Sequence, residues 1–261
     1  VQSHNTVVSP LAMETTHRWV SSFAPVPGAQ YLEARVRCSG FYGRQIALID
    51  ADAGQRAESA DAWPVTPNSY VVDVFRVRGG DRVPSYAFHG PPADEFTTNV
   101  VDRKKADFGG FIDADSKWEG TAPDTLVAQW RMRRDPAEIV YRDSSGTEKK
   151  FTVPGAERMA INEKRLRAAL TDAVPRKHIR LHLLGQSGAR AWGATAFCLN
   201  GEVFTNENLY VTPAEWNGQV VFPAVFEPFA GSADGGFIAS VRLLTPATAL
   251  ADAAAPVAIE V

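Results

Sequence analysis

Apolar and polar residues alternate along much of this chain with a period of two. In Tyr31–Cys38, Leu32, Ala34, Val36 and Cys38 share one face, while Tyr31, Glu33, Arg35 and Arg37 share the other. That is the pattern of a half-buried strand. Tyr70–Val77 is rich in Val and Phe and ends at Gly79-Gly80, a turn signal. Leu126, Ala128, Trp130 and Met132 alternate in the same way, and Ile179, Leu181 and Leu183 alternate with His178, Arg180 and His182. Val220, Phe222, Ala224 and Phe226 form another apolar row, and Val257, Ile259 and Val261 predict a last short strand. Turn clusters lie between these runs at Pro25–Gly28, Asp143–Gly146, Asn200-Gly201 and Asn217-Gly218. Asn200-Gly201, set between apolar runs, predicts a two-residue hairpin. Only Asn162–Leu170 reads as a helix.

Many strands punctuated by Gly, Pro, Asn and Asp predict antiparallel sheets packed face to face: an all-β sandwich with at most one short helix. There is no fixed-period repeat and no clean boundary. Residues 1–261 read as one β-sandwich portion, with a smaller second sheet from about Phe151 as the alternative division. The Ala-rich run Ala247–Ala255 reads as a linker or loose tail.

Composition narrows the partners more than the reaction. The 261 residues include 27 basic and 30 acidic ones, for a formal net charge of -3. That balance lacks the basic footprint of a nucleic-acid binder, so none is expected as a partner. No apolar run approaches the ~20 residues that span a bilayer as a helix, so no membrane partner is expected either. Cys38 and Cys198 are either a disulfide pair or two buried thiols on strands. Both readings stay open, and the compartment with them.

Candidate chemistry is sparse. His178 and His182 have the i, i+4 spacing of a helical metal pair. Their run alternates like a strand, however, and four strand residues span roughly 13 Å. They are therefore expected to face solvent from a strand rather than share an ion. Asp50 and Asp52 read as a solvated turn rather than a glycosidase pair. The chain has no Gly-x-Ser-x-Gly elbow, Walker loop or dinucleotide fingerprint, and Gly231–Gly236 reads as a loop.

Several stretches together resemble the heparinase II/III-like polysaccharide lyases and their alginate lyase relatives. They are Ser3-His4-Asn5-Thr6-Val7-Val8, the run Tyr70–Gly80 followed by Phe88-His89-Gly90, and Val225-Phe226-Glu227-Pro228-Phe229-Ala230-Gly231. A looser likeness runs from Gln30 to Ile49 through Phe41-Tyr42-Gly43-Arg44. These pieces stand in the family's order over most of residues 1–245. The resemblance implies β-sandwich layers that follow a helical toroid, and β-elimination of uronate-containing acidic polysaccharides such as glycosaminoglycans or alginate. In that chemistry a base removes the proton alpha to the uronate carboxyl and an acid protonates the leaving oxygen. The carboxylate has to be neutralised so that the developing enolate is tolerated.

The resemblance also implies a zinc ion in the β portion, with His4 as one ligand and Asn5 orienting the strand that carries it. The family's other ligands belong to an upstream His-x-His-x-Asp segment and a following Asp, which residues 1–261 do not include. A lone His is not a zinc site, since zinc takes three or four protein ligands. Tyr42, Arg44 and His89 are the remaining candidates for the cleft rim. Their plainer readings are a core tyrosine, a surface arginine and a histidine bonded to the Gly-Pro-Pro turn that follows it. Two expectations stand side by side. One is a lyase portion completed by a toroid domain or partner chain, periplasmic or secreted and inactive alone. The other is a non-catalytic carbohydrate-binding or structural sandwich, with Trp19, Trp118 and Trp192 as aromatics that stack on sugars.

Overall fold

A computed structural model describes residues 6–8, 17–26, 28–37, 40–51, 68–80, 82–108, 115–132, 138–142, 147–152, 177–199 and 203–261. Its first strands are β1 (Thr6–Val8), β2 (His17–Val26), β3 (Ala29–Arg37), β4 (Phe41–Asp50), β5 (Ser69–Arg78) and β6 (Ser85–Thr98). Next come β7 (Val101–Lys105), β8 (Trp118–Thr121), β9 (Thr125–Met132), β10 (Glu138–Arg142) and β11 (Glu148–Thr152). The last are β12 (Lys177–Leu184), β13 (Arg190–Leu199), β14 (Val203–Thr212), β15 (Gln219–Ala230), β16 (Arg242–Leu243) and β17 (Ile259–Glu260). Every strand pairing among the described residues is antiparallel. A 3-10 turn at Ala247–Ala251 is the one helical element among the described residues. The expected helix at Asn162–Leu170, the Asp143–Gly146 turn and Asn200-Gly201 lie outside them. β13 and β14 do pair as a hairpin, closing at Leu199 with Val203.

Thirteen strands of the described residues form one hydrogen-bonded surface that folds back on itself at β6. The longer layer runs β2-β3-β4-β5-β15-β12-β9 to the second half of β6. The shorter layer starts from the first half of β6, with β1 on one side and β14-β13-β8-β7 on the other. Strands from beyond position 151 therefore alternate with strands from before it.

The hinge is chemical. Pro91 and Pro92 have no N–H to give a ladder. There β6 leaves β14, last paired at Pro92 with Asn206, and takes up β9 at Ala93 with Met132. Register shifts flank the crossing, as bulges do where a strand changes sheets. The expected Gly-Pro-Pro turn is thus not a turn: the strand continues through it.

The core lies between the layers. Tyr86 of the shorter layer meets Phe75 and Phe222 of the longer one, with ring centroids 5.6 and 5.8 Å apart. Leu126, Ala128, Trp130, Leu181, Leu183, Leu209 and Val211 are fully buried around them. At about 1.5–3 kcal/mol per large apolar side chain, this core carries the fold.

The longer layer's outer face is not bare. The Ala-rich segment is no loose tail: Leu250 packs on Val74 and Val221, with Val257 and Leu243 beside them. Residues 231–238 fold over the neighbouring strands, where Glu227 accepts hydrogen bonds from the Ile238 N–H (2.8 Å) and Arg180 Nη1 (3.1 Å). Arg180 also donates to Gln129 Oε1 (2.8 Å) and to the Ala233 carbonyl (3.0 Å). His178 and His182 do sit on a strand, but they do not face solvent. His178 is 2% exposed, stacked on Phe229 and bonded to the Gly231 carbonyl (3.2 Å), and His182 is buried too. The expectation of exposure failed because strand alternation reports two faces, not whether a second layer of chain covers one.

Candidate functional site

The outer face of the shorter layer is built from alternation. Phe88 turns inward onto Phe226 and Trp130, with centroids 5.0 and 4.8 Å away, so His89 projects from the opposite face. Gly90 follows because there is no room for a side chain. The Trp130 indole occupies that space and donates Nε1–H to the Glu207 carbonyl at 2.9 Å. Leu209 and Val211 are in the core, which sets Asn208 and Tyr210 outward. Asn208 pairs with His89, and Tyr210 pairs with Ala87 on one side and Trp192 on the other.

A row of rings results. The His89 imidazole stands edge-on to Tyr210, with centroids 5.9 Å apart at 84°. Tyr210 stacks on Trp192 at 4.1 Å and 12°, and Trp192 meets the edge of Phe108 at 5.0 Å. Cations flank the far end: Arg190 lies 5.8 Å from the Trp192 ring and Lys117 Nζ 5.7 Å from Phe108. Trp192 Nε1 donates to Thr212 Oγ1 at 3.2 Å, which fixes its tilt. Asn208 is 3% exposed and its Oδ1 has no hydrogen-bond partner among the described residues. Burial pushes the Tyr210 phenol up to about 12, so it keeps its proton at neutral pH. His89 is half-buried as a residue, and its Nε2 is buried within this face.

Tyr42 and Arg44 are elsewhere. They lie on β4 and face inward, where Arg44 clamps the fully buried Asp73 through two 2.9 Å hydrogen bonds, Nε to Oδ1 and Nη2 to Oδ2. The Arg44 guanidinium also covers the Phe75 ring at 4.3 Å, and Tyr42 meets that ring edge-on at 5.8 Å. Burial raises the Asp73 carboxyl above its ordinary range, opposed by the hydrogen bonds and charge of Arg44. Burial also drives the Tyr86 phenol well up, with the Asp73 charge adding to it. Tyr42 and Arg44 are thus brought together around Asp73 and Tyr86, while His89 is held on the other side of β6.

His4, Asn5, Cys38 and Asp52 lie outside the described residues, as do the side chains of Trp19 and Cys198. Asp50 accepts the Ser69 hydroxyl at 3.0 Å, and Trp118 is buried rather than exposed. No group of three or more His, Cys, Asp or Glu side chains able to hold a metal is gathered among the described residues. These residues alone therefore do not fit a zinc ion. No helix among them is long and apolar enough to cross a membrane. The sequence reading missed Asn208 and Tyr210. The signal was present in Asn206-x-Asn208-x-Tyr210 alternating with Leu209 and Val211.

The class these observations define is an antiparallel β-sandwich with one aromatic, amide-bearing outer face. No family model matches the chain, and no curated protein matches it. Among solved structures it is similar to a heparinase III with methylated lysines, at 13% identity and a TM-score of 0.48, covering 92% of this chain and 25% of that one. It is also similar to the heparan sulfate lyase HepC from Pedobacter heparinus, at 10% identity and a TM-score of 0.39, covering 93% of this chain and 26% of that one. The chain spans about a quarter of the length of these structures. At that level of likeness, activity has to be argued from the residues themselves.

Proposed function

We propose that this chain is the β-sandwich portion of a polysaccharide lyase that cleaves uronate-containing acidic polysaccharides, of glycosaminoglycan or alginate type, by β-elimination. The observation that carries the reading is His89: an imidazole inside a stretch resembling the lyases, half-buried on the outer face of the shorter layer, edge-on to Tyr210 and paired with Asn208. In the reaction the C–H bond alpha to the uronate carboxyl breaks and its electrons form the new C=C bond, while the glycosidic C–O bond breaks with its own electron pair going to the leaving oxygen, which takes up a proton. On this reading His89 is the base, and it takes the proton at Nδ1, since Nε2 is buried. Tyr210 and Asn208 are too buried to touch a glycan, so they are positioning residues that hold the ring. The acid that protonates the leaving oxygen, and the group that neutralises the carboxylate, come from the helical toroid or a partner chain.

In the longer protein His4 is a zinc ligand and Asn5 orients its strand. Thr6, two residues after His4, pairs with Ala87, two residues before His89. The ion's remaining ligands come from outside residues 1–261. Metal analysis of the longest natural form is expected to find one zinc per chain, and His4→Ala is expected to lose most of it. Zinc content unchanged in that variant would remove His4 from the site.

Acidic glycans of this kind are largely extracellular, so the periplasm or secretion is the expected location. The direct test is to incubate the longest natural form with heparan sulfate and with alginate and follow the absorbance of unsaturated product. Product from one of them is expected, with little or none from residues 1–261 alone. No product from any acidic glycan would leave the second reading, a carbohydrate-binding or structural sandwich. Trp192 and Phe108, the partly exposed rings at the far end of the row, favour that alternative as flat aromatic surface for a sugar.

A further inference from the structure

A second site lies on the other layer, on the outer face of β3, β4 and β5. Arg35, Gly43 and Arg76 stand in one cross-strand row, and Phe41 pairs with Arg78 in a neighbouring row. A Cβ at Gly43 would stand 2.8 Å from Phe41 Cζ, so the phenyl ring lies down over the glycine. Glycine weakens a strand interior and marks a close approach; here it lets an aromatic floor lie between two guanidinium groups. Residues Ala253–Pro256 form the opposite wall of an open cleft of ≈ 370 Å³. That is at the lower end of the roughly 300–1,000 Å³ of small-ligand sites.

The charges in this cleft do not balance. Glu33 is taken by Arg35 Nε at 2.6 Å and by the Tyr31 hydroxyl at 3.4 Å. Arg76 has no carboxylate in contact. Its Nε donates to Gln45 Oε1 (3.0 Å) and its Nη1 to the Ala253 and Ala255 carbonyls (3.1 and 2.6 Å), which leaves Nη2 over. Arg78, exposed at the rim, has no acceptor among the described residues. Two guanidinium groups without a bonded counter-ion therefore flank a phenyl ring. Guanidinium groups recognise carboxylate and sulfate through paired N–H donors, and a ring face takes the C–H face of a sugar.

We propose that this cleft binds one anionic sugar unit of an acidic glycan, with Arg78 and the Nη2 of Arg76 on its carboxylate or sulfate and Phe41 beneath its ring. The choice of glycan rests on the reading above; the cleft itself does not take part in bond cleavage. The test is isothermal titration of the 261-residue chain with three tetrasaccharides: heparin-derived, carrying sulfate and carboxylate; oligomannuronate, carrying carboxylate only; and neutral cellotetraose. At least one acidic probe is expected to bind, and cellotetraose at least about tenfold more weakly. Arg78→Ala, at an exposed position, is expected to weaken binding by about tenfold or more without shifting the melting temperature. Binding to both acidic probes assigns carboxylate; binding to the heparin probe alone assigns sulfate.

Equal binding of the neutral probe, no binding of either acidic probe, or unchanged affinity in both Arg78→Ala and Phe41→Ala overturns the proposal. The two readings fail separately. Affinity lost in Arg78→Ala without lyase turnover in the longer form keeps the cleft and removes the lyase. Turnover with affinity unchanged in both variants does the reverse.

Discussion

Asp73 and Glu227 are fully buried carboxylates, each facing an arginine, and both belong to stretches that carry the family resemblance. Their chemistry is structural. Taking a charge out of water is costly, and a lone partner left behind costs more than the pair gains. Asp73→Ala or Arg44→Ala is expected to lower stability by about 3–5 kcal/mol, while Arg44→Met with Asp73→Leu recovers most of it. Urea unfolding of the three variants checks this, and a single-variant loss below about 1 kcal/mol would contradict it.

His182 gives a second handle at the same scale. Burial, with the nearby charge of Arg180, lowers its pKa to about 4 in the folded chain, against roughly 6.5 when exposed. The unfolded chain therefore takes up this proton first as pH falls. The contribution to stability is whole above about pH 6.5, shrinks through that window and is lost by about pH 4, on the order of 3 kcal/mol. Melting curves from pH 7.5 to 4 should show this limb in the wild type and a flatter one in His182→Gln. Identical limbs would place the titration elsewhere.

At the scale of elements, β6 makes one sheet into two layers. Gly90 is where it passes the Trp130 indole. Gly90→Ala is expected to displace that ring and strand the Glu207 carbonyl without its donor, costing at least about 1–3 kcal/mol. Altered Trp fluorescence with a lower melting temperature would show it; a wild-type spectrum and stability would not fit.

The same strand shows what the sequence discloses and what it hides. Leu126–Trp130 and Leu181–Leu183 were legible because their partners on one side are the dry core, which enforces period two. β13 and β14 were harder to read, because Ala194, Asn208 and Tyr210 on their outer face are nearly as buried as Ala191 and Leu209 on the inner one. Passage through Gly90-Pro91-Pro92 looked like a turn because local signals cannot report a strand that changes partners. His89 stood out through its motif. Asn208 and Tyr210 did not, because only long-range pairing of β6 with β14 brings them beside it.

Taken as a whole, the molecule is two layers with different outsides. The longer layer is roofed by residues 231–261, which leave the arginine cleft at their margin. The shorter layer carries the ring row that begins at His89. If His89 transfers the proposed proton, its place on a sheet rather than a loop would hold the imidazole rigidly. The measurement that tests this most directly is the initial rate of unsaturated-product formation from heparan sulfate and alginate by the longest natural form and by its His89→Gln variant. The account predicts a fall of roughly 10²–10⁴-fold at an unchanged melting temperature; a variant within a few-fold of wild type would contradict it.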